Sequence, residues 1–372
     1  MLIQIHILQN YAPSNLNRDD SGSPKSAVFG NQPRGRISSQ CLKRSIRRSA
    51  TFEAAFREAG LLADRTNRLP RLINSELERL GADETARKTI SNRLPELGGG
   101  SAVKEDHEGE LKTKILVYLT PTETKLVAEK LWALYQEMGD KKFAEMKIAE
   151  IESKIVHQTP RSVDIAMFGR MTTSVAFEDV AAAVQVAHAL STNRLLPVFD
   201  YFTAVDDLSG ETGAGMIGDL EMNSSTYYKY FSVCWDDLVR NLGGETEIAL
   251  PAVIALIEAA ALAQPSGKQN STAAQNLPDF MMIEISAKNV PISYANAFLK
   301  PAHHSNEKSL MQNSIEKFSD YVQRMQRAYA LNGRRAYFTT EANVDLDSAT
   351  DVESLPGLQE WVRHQVEGVI NG

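Results

Sequence analysis

The residues with the clearest chemical character form a basic run, R-G-R-I-S-S-Q-C-L-K-R-S-I-R-R-S, from Arg34 to Ser49. No acidic residue occurs between Ser21 and Phe52, although the whole chain has 47 acidic against 40 basic residues. The positive segment is therefore a local concentration of charge. Side chains of this kind neutralise phosphates. The alternative interpretation is the solvated face of an ordinary helix.

Helical periodicity divides the run into two faces. A helix that begins at Ser38 or Ser39 places Leu42 and Ile46 on one side. Either serine can cap its first turn, and the positive end of the helix dipole adds backbone N–H donors that suit a phosphate. The opposite arc then carries Gln40, Lys43, Arg44, Arg47 and Arg48.

The composition is that of an ordinary globular chain of 372 residues, 43% hydrophobic and 23% charged. Cys41 and Cys234 are the only cysteines, which predicts a reducing compartment rather than a disulfide framework. The N-terminus lacks signal-peptide features, and the most apolar run, 248–263, is interrupted by Pro251 and Glu258. We therefore expect a cytoplasmic protein with no membrane contact. Its net charge of −7 confines any polyanion to a groove.

Hydrophobic periodicity predicts both strands and helices. Residues 2–8 alternate, so that Ile3, Ile5 and Ile7 share a buried face while Gln4 and His6 face outward. Further strands are predicted at 162–171, 226–231 and 280–286, and helices at 51–80, 125–155, 178–191, 237–264, 310–329 and 358–369. Loops are predicted at 11–30, 95–110 and 265–276, and a glycine-rich arm that projects into solvent at 206–225.

Enzyme signatures are mostly absent from the sequence. The histidines are scattered, and the adjacent pair at 303–304 is better explained as a loop feature than as a metal site. A nucleophile elbow is missing, and the glycine–lysine pair at 267–268 lacks the rest of a phosphate-binding loop. The acid pairs at 19–20 and 206–207 can hold a cation or activate water, but paired acids in loops are usually solvated. The sequence therefore predicts no metal and no cofactor.

The remaining polar side chains suit the backbone of a nucleic acid. Ser38, Ser39 and Gln40 can hydrogen-bond phosphate or 2′-hydroxyl oxygens. Contacts of this kind fix register and carry no sequence information, which favours a binder that is indifferent to base sequence. The side chains that can each neutralise a phosphate are Lys25, Arg34, Arg36, Lys43, Arg44 and Arg47.

Five motifs in order resemble the CasC family, the repeated backbone subunit of the type I-E CRISPR Cascade complex. They are S-N-L-N-R-D-D at 14–20, R-I-S-S-Q-C-L-K-R at 36–44, V-D-I-A-M-F-G-R-M-T-T-S at 163–174, F-T-A-V-D-D-L at 202–208 and L-N-G at 331–333. The resemblance runs nearly end to end and is weakest between about residue 60 and residue 155.

The resemblance implies an α+β fold. Its palm is a modified ferredoxin-like domain of the RNA-recognition (RRM) type, with an inserted helical fingers domain and a protruding thumb hairpin. The corresponding bounds are 1–59, 161–200 and 226–372 for the palm, 60–160 for the fingers and 201–225 for the thumb.

The resemblance also implies a non-catalytic subunit that stacks head to tail along the CRISPR RNA and presents it to a target DNA strand. The implied partners are the CRISPR RNA, the paired target strand, further copies of the chain and the other Cascade subunits. Met171 is implied to wedge between bases, whereas Arg170 either contacts RNA or only braces the neighbouring strand. With the residues of the basic run included, the predicted RNA-binding residues are Arg18, Asp20, Lys25, Arg36, Ser38, Ser39, Gln40, Lys43, Arg44, Arg47, Arg170, Met171, Lys268 and Gln269. The predicted thumb residues are Phe202, Thr203, Val205 and Asp206.

Two other functions compete with a guide-RNA scaffold. The first is a guide-dependent endonuclease that cuts target RNA, because related backbone subunits of other CRISPR classes use a loop aspartate, for which Asp20 is the candidate. The second is a pure protein–protein scaffold, in which the basic face meets the acidic surface of a neighbouring copy.

Overall fold

The computed structural model describes residues 1–97, 104–105, 110–155, 162–172, 174, 176–205, 214–342, 344, 346–347 and 349–370. The strands are β1 (Leu2–Ser14), β2 (Ser26–Phe29), β3 (Gln32–Ile37), β4 (Asp64–Thr66), β5 (Lys104–Glu105), β6 (Leu111–Lys112), β7 (Val117–Leu119), β8 (Val184–Val186), β9 (Ala189–Ser191), β10 (Val198–Val205), β11 (Ala214–Cys234), β12 (Phe280–Ser286), β13 (Arg334–Thr339) and β14 (Thr350–Asp351).

The α-helices are α1 (Ser39–Arg47), α2 (Ala50–Phe56), α3 (Leu69–Arg79), α4 (Glu84–Arg93), α5 (Pro121–Met138), α6 (Asp140–Glu145), α7 (Ile148–Ile155), α8 (Val163–Phe168), α9 (Trp235–Asn241), α10 (Thr246–Leu262), α11 (Gln269–Thr272), α12 (Leu310–Tyr329) and α13 (Leu355–Ile370). Among the described residues, no helix is both long enough and apolar enough to cross a bilayer.

The chain divides into two compact units. The sheet unit comprises Met1–Phe52, Val184–Trp235 and Leu250–Gly372, and the helical unit comprises Glu53–Ala183 and Asp236–Ala249. In the helical unit, α3 to α7 bury a common apolar core that includes Leu69, Ile73 and Leu131. Two small sheets, β4 with β7 and β5 with β6, also belong to this unit.

A ten-stranded sheet forms the centre of the sheet unit, in the order β14-β13-β12-β1-β11-β9-β3-β2, with β8 and β10 also paired to β11. Strand β1 pairs antiparallel with β11 on one side and with β12 on the other. Its N-terminal residue, Leu2, lies opposite Cys234 and Ser286. Because β1 has hydrogen-bonded neighbours on both sides, it occupies the interior of the sheet.

The prediction that His6 faces solvent is wrong. Its imidazole is fully buried, Nδ1 lies 2.9 Å from the Tyr228 hydroxyl, and the ring lies 5.7 Å from that of Phe318 on α12. Burial, helped by the charge of Arg335, lowers the pKa of His6 to about 3 and keeps it neutral. Alternation assigns residues to faces correctly, but whether a helix covers the second face is a tertiary property.

Other sequence predictions of local structure also fail. The predicted loop at 11–30 begins as the end of β1 and contains β2, and the predicted strand at 162–171 contains α8. The alanine-rich helix predicted at 178–191 is replaced by β8 and β9, which pair with β11. Non-local strand pairing overrides local helix propensity there. The strand at 280–286 and the helix at 310–329 are confirmed, whereas most of 95–110 lies outside the described residues.

Arg34 is the one basic residue of the run that the structure removes from the phosphate-binding set. Its side chain is fully buried, and Nη1 donates to the carbonyl oxygens of Ser191 at 2.9 Å and Thr192 at 2.8 Å. Nη2 donates to the carbonyl oxygen of Phe298. The guanidinium therefore joins β3, the end of β9 and the segment at 298, and it cannot reach a ligand in solvent.

Replacing Arg34 with methionine should destabilise the fold, because the carbonyls that it satisfies would remain buried without donors. We expect a loss of about 3 kcal/mol in the free energy of unfolding, measured by urea denaturation. The matched substitution Arg44→Met removes an exposed arginine and should change the stability by less than about 0.5 kcal/mol. Equal effects of the two substitutions would contradict the structural role of Arg34.

Candidate nucleic-acid interface

The basic helix α1 begins where the sequence predicts. Ser38 is the N-cap, with extended backbone angles, and its Oγ accepts from the Cys41 N–H at 3.3 Å. The Ser38 N–H in turn donates to Asn17 Oδ1 at 2.9 Å. At the next position, the Ser39 N–H donates to His188 Nδ1 at 3.3 Å. The first turn is thus fixed by side chains from two other segments.

The two faces of α1 differ as predicted. Leu42 and Ile46 are buried, and Leu42 packs with Tyr11 and Ile37 in one apolar cluster. Gln40, Arg44 and Arg48 are exposed, whereas Ser39, Lys43 and Arg47 are half-buried. Partial burial lowers the pKa of Lys43. The apolar face anchors the helix, so the basic face is available for contacts with a ligand.

Asn17 brings two further predicted residues to the start of α1. Its carbonyl oxygen accepts from the Lys25 N–H at 2.8 Å, and the Lys25 carbonyl accepts from the Arg36 N–H at 2.8 Å. Arg36 Nε donates to the Ser26 carbonyl at 3.1 Å. Desolvation and the nearby charges of Arg36 and Lys25 lower the pKa of His188. These residues therefore form one positive cluster around the helix start.

An open cleft of about 530 Å³ lies beside the helix start. Arg18 and Asp20 are exposed in its wall, together with Cys41. Asp19 closes a tight turn by accepting from the N–H groups of Ser21 and Ser23, both at 3.0 Å. Hydrogen bonds, chiefly that from the Ser21 hydroxyl, lower the pKa of Asp19. The Asp19 carboxylate thus serves the turn, and both Asp19 and Asp20 line the cleft.

The loop at 265–276 contributes Ser266 and Gly267 to the lining of the cleft. A Cβ on Gly267 would lie 2.3 Å from the Leu16 carbonyl oxygen, so only glycine allows this close approach. Lys268 follows in a left-handed conformation and is exposed. Gln269 donates to the Ala274 carbonyl at 3.0 Å. The predicted pair Lys268 and Gln269 directly follows Ser266 and Gly267, which line the same cleft as Arg18 and Asp20.

Four basic side chains of this surface retain uncompensated charge. Lys25, Arg36, Lys43 and Arg44 form no ion pair with any other residue that the structure describes. A cation without a carboxylate partner loses no ion pair when it binds a phosphate, so its full charge is available for binding.

Strands β10 and β11 form a hairpin that extends past the rest of the sheet. Pairing of β1 with β11 ends at Ser14 and Asn223, whereas β10 pairs with β11 from Val198 opposite Met222 to Val205 opposite Ala214. The arm predicted from glycine content is thus confirmed as a hairpin over its described strands.

Two of the predicted thumb residues, Phe202 and Thr203, are exposed on β10. Phe202 lies opposite Gly218, where a Cβ would come within 2.6 Å of its ring, so the ring packs across the glycine. Val205 ends β10, although its side chain is not described, and Asp206 lies outside the described residues.

Met171 and Arg170 lie in the helical unit and differ in exposure. The Met171 side chain is 93% exposed, whereas Arg170 is buried and forms an ion pair with Glu123 at 2.7 Å. Met171 is therefore exposed to solvent, and Arg170 makes its contacts inside the unit. Among the described residues, no group of three or more His, Cys, Asp and Glu side chains is arranged to hold a metal ion.

A family model described as CT1975-like protein matches residues 3–364 of the sequence. The chain belongs to the CT1975-like protein family. Among solved structures, it is similar to a chain of a CRISPR RNA-guided surveillance complex in a pre-nicking state, with 30% identity and a TM-score of 0.83. A second chain, from another CRISPR RNA-guided surveillance complex, is 25% identical with a TM-score of 0.74. Each match covers 97% of this chain and 99% of the other.

No curated protein sequence matches the chain significantly. The family and the two structures nevertheless confirm the resemblance that the sequence motifs indicate. The fold is accordingly α+β, with a central, mostly antiparallel sheet.

Sequence reasoning missed three residues that shape the surface of this CT1975-like chain. Asn17 ties the loop to the helix start, His188 accepts from Ser39, and Glu123 holds Arg170. The only available signal was the position of Asn17 within the motif S-N-L-N-R-D-D, because the other two lie more than forty residues from their partners.

Lys229, on β11, is a buried basic residue of the sheet unit. Its ammonium donates to Gln9 Oε1 and lies 5.6 Å from the centre of the Tyr11 ring. Burial lowers the pKa of Lys229 to about 7. In the unfolded chain the ammonium stays protonated up to a pH near 10.5. Above pH 7, therefore, the folded state binds fewer protons than the unfolded state.

The stability of the protein should consequently rise between pH 7 and pH 9.5, by about 1.4 kcal/mol per pH unit for this one group. The measurement compares urea unfolding of the natural protein and of Lys229→Met at pH 6.5, 8.0 and 9.5. The substitution should remove this slope and leave the contributions of other groups in place. Parallel pH profiles for the two proteins would show that Lys229 titrates as in an unfolded chain.

Proposed function

We propose that this chain is a non-catalytic backbone subunit of a type I-E Cascade complex and binds the CRISPR RNA in the cytoplasm. The observation that carries the proposal is the anchored α1 helix, whose basic side chains, with Lys25 and Arg36, concentrate positive charge in an acidic protein. The similarity of the whole chain to chains of CRISPR RNA-guided surveillance complexes suggests that the ligand is a guide RNA.

The palm, in this proposal, is a modified ferredoxin-like domain of the RRM type. Support comes from the strand order β12-β1-β11-β9, in which all neighbours are antiparallel. When only these four strands are counted, the chain passes from β1 through helices to β9 and β11, and then through α10 to β12, which is a β-α-β-β-α-β sequence; β2, β3, β8 and β10 are additions to it.

The guide RNA lies along α1 and the cleft. Phosphates bind Lys25, Lys43 and Arg47, with Ser38 and Gln40 at the helix start. Arg36, Ser39 and Arg44 extend this contact, with Arg18 and Asp20 in the lining of the cleft and Lys268 and Gln269 next to Gly267. Because all these groups address the sugar–phosphate backbone, base sequence is left to pairing between the guide and its target.

The helical unit and the hairpin act on the bases. Met171 inserts between bases, since an exposed methionine offers apolar surface that gains from stacking. The hairpin that carries Phe202 and Thr203, with Val205 and Asp206, forms the thumb and displaces a nucleotide from pairing. Further copies of the chain extend the array head to tail, the other Cascade subunits complete the complex, and the guide pairs with the target DNA strand. None of these contacts requires a metal or a cofactor.

Binding of single-stranded RNA should weaken with salt, and the double substitution Lys43→Ala/Arg47→Ala should reduce the log–log slope by about 1.4, or 0.7 per phosphate contact. The slope comes from dissociation constants measured over a range of NaCl concentrations. The control Lys317→Ala/Arg327→Ala removes two basic residues from α12 and should leave the slope unchanged. If Lys43→Ala/Arg47→Ala leaves the slope unchanged, α1 does not carry the contacts with the RNA backbone.

The protein–protein scaffold makes a different prediction about assembly. If the basic face met an acidic neighbour rather than RNA, nuclease treatment of the purified oligomer would leave it intact. We expect the oligomer to dissociate into smaller species when its RNA is digested, as measured by light scattering.

The nuclease alternative can be tested on the assembled complex. We expect complementary RNA to remain intact in the presence of Mg²⁺, because no metal-binding cluster of acids surrounds Asp20 in the described part of the chain. Regularly spaced cleavage that disappears in Asp20→Asn, as seen on a denaturing gel, would establish the enzyme instead.

A further inference from the structure

Met171 projects from a backbone that is held on both sides. The Arg170 N–H donates to the Val180 carbonyl at 3.0 Å, and the Val180 N–H donates back to the Arg170 carbonyl at 2.8 Å. On the other side, the Thr172 N–H donates to Asp179 Oδ1 at 2.7 Å. An apolar side chain that is 93% exposed is thus presented from a fixed position rather than from a loose loop.

The Arg170 side chain runs in the opposite direction, into the helical unit. Its side chain is 3% exposed, as is that of Glu123. Nε donates to the Glu178 carbonyl at 3.0 Å, while Nη1 donates to the Tyr118 carbonyl at 3.1 Å and to Glu123 Oε1 at 2.7 Å. A guanidinium with these contacts has no access to a phosphate in solvent.

Glu123 is itself fixed by the start of α5. Its Oε2 accepts from the Thr120 N–H at 2.9 Å, and the Glu123 N–H donates to Thr120 Oγ1 at 3.0 Å, which together form a capping box. The two carboxylate oxygens therefore have separate tasks. One caps an 18-residue helix, and the other binds Arg170.

We infer that Arg170 is a positioning residue, and that its buried ion pair with Glu123 fixes Met171 relative to helix α5. The inference rests on the proposed function, in which Met171 separates bases of the guide. It assigns Arg170 to the support of the wedge and removes it from the RNA-contacting set.

The test uses complexes assembled with guide RNA and reads base exposure by dimethyl sulfate. Met171→Ala should abolish the reactivity of the bases that the wedge separates, whereas the nucleotide displaced by the thumb should stay reactive, and this pattern defines the loss of the wedge. Glu123→Gln keeps the capping box, because glutamine also serves at that position, but leaves the Arg170 charge without its partner. The double variant Glu123→Gln/Arg170→Met removes the charge as well, and so it avoids a buried unpaired ion.

The double variant should fold, as judged by its melting temperature, and lose the wedge-dependent reactivity as fully as Met171→Ala does, with the thumb-dependent reactivity retained. Its salt slope for RNA binding should be unchanged, whereas loss of a direct phosphate contact would lower the slope by about 0.7. A normal reactivity pattern in the double variant, or a reduced slope, would overturn the inference while the wedge stands. If Met171→Ala leaves the pattern intact, the proposed wedge fails and the inference with it.

Discussion

Strand β1 is the element on which the rest of the sheet unit depends. It is hydrogen-bonded along both edges, to β11 and β12, and its first eight residues are buried on both faces. The same strand leads directly into Asn15 and Asn17, whose side chains and carbonyls hold the loop and the start of α1. Asn17, which lines the cleft, is therefore only a few residues away from the buried strand β1.

The division of the basic run into structural and accessible residues follows from the cost of burying charge. Arg34 is tolerated inside because several backbone carbonyls converge on its guanidinium, and it no longer contributes to the surface. Arg44, ten residues later, is exposed and makes no ion pair within the described chain. Two residues of one type thus take opposite roles, and the surrounding backbone decides which role each one has.

Buried ions elsewhere are paired in a way that serves geometry. The Arg335–Glu284 pair, at 2.7 Å, joins strands β13 and β12 next to Tyr294, and the Arg170–Glu123 pair involves the residue that precedes Met171. Such pairs add little net stability, because desolvation offsets their attraction, but they strongly penalise arrangements that separate the partners. They are suited to keeping an exposed group in one place.

The sequence by itself determined the basic helix, its N-cap and its two faces, because charge and helical periodicity are local properties. It also determined the strand at 280–286, the helix at 310–329 and the projecting arm, whose patterns are long and unambiguous. The tertiary structure alone decided that His6 is covered by α12, that 178–191 forms strands, and that Arg34 and Arg170 are buried. Each of these depends on partners far away in the chain, such as Phe318, Tyr228, Phe298 and Glu123, and no local pattern encodes which distant segment supplies the contact.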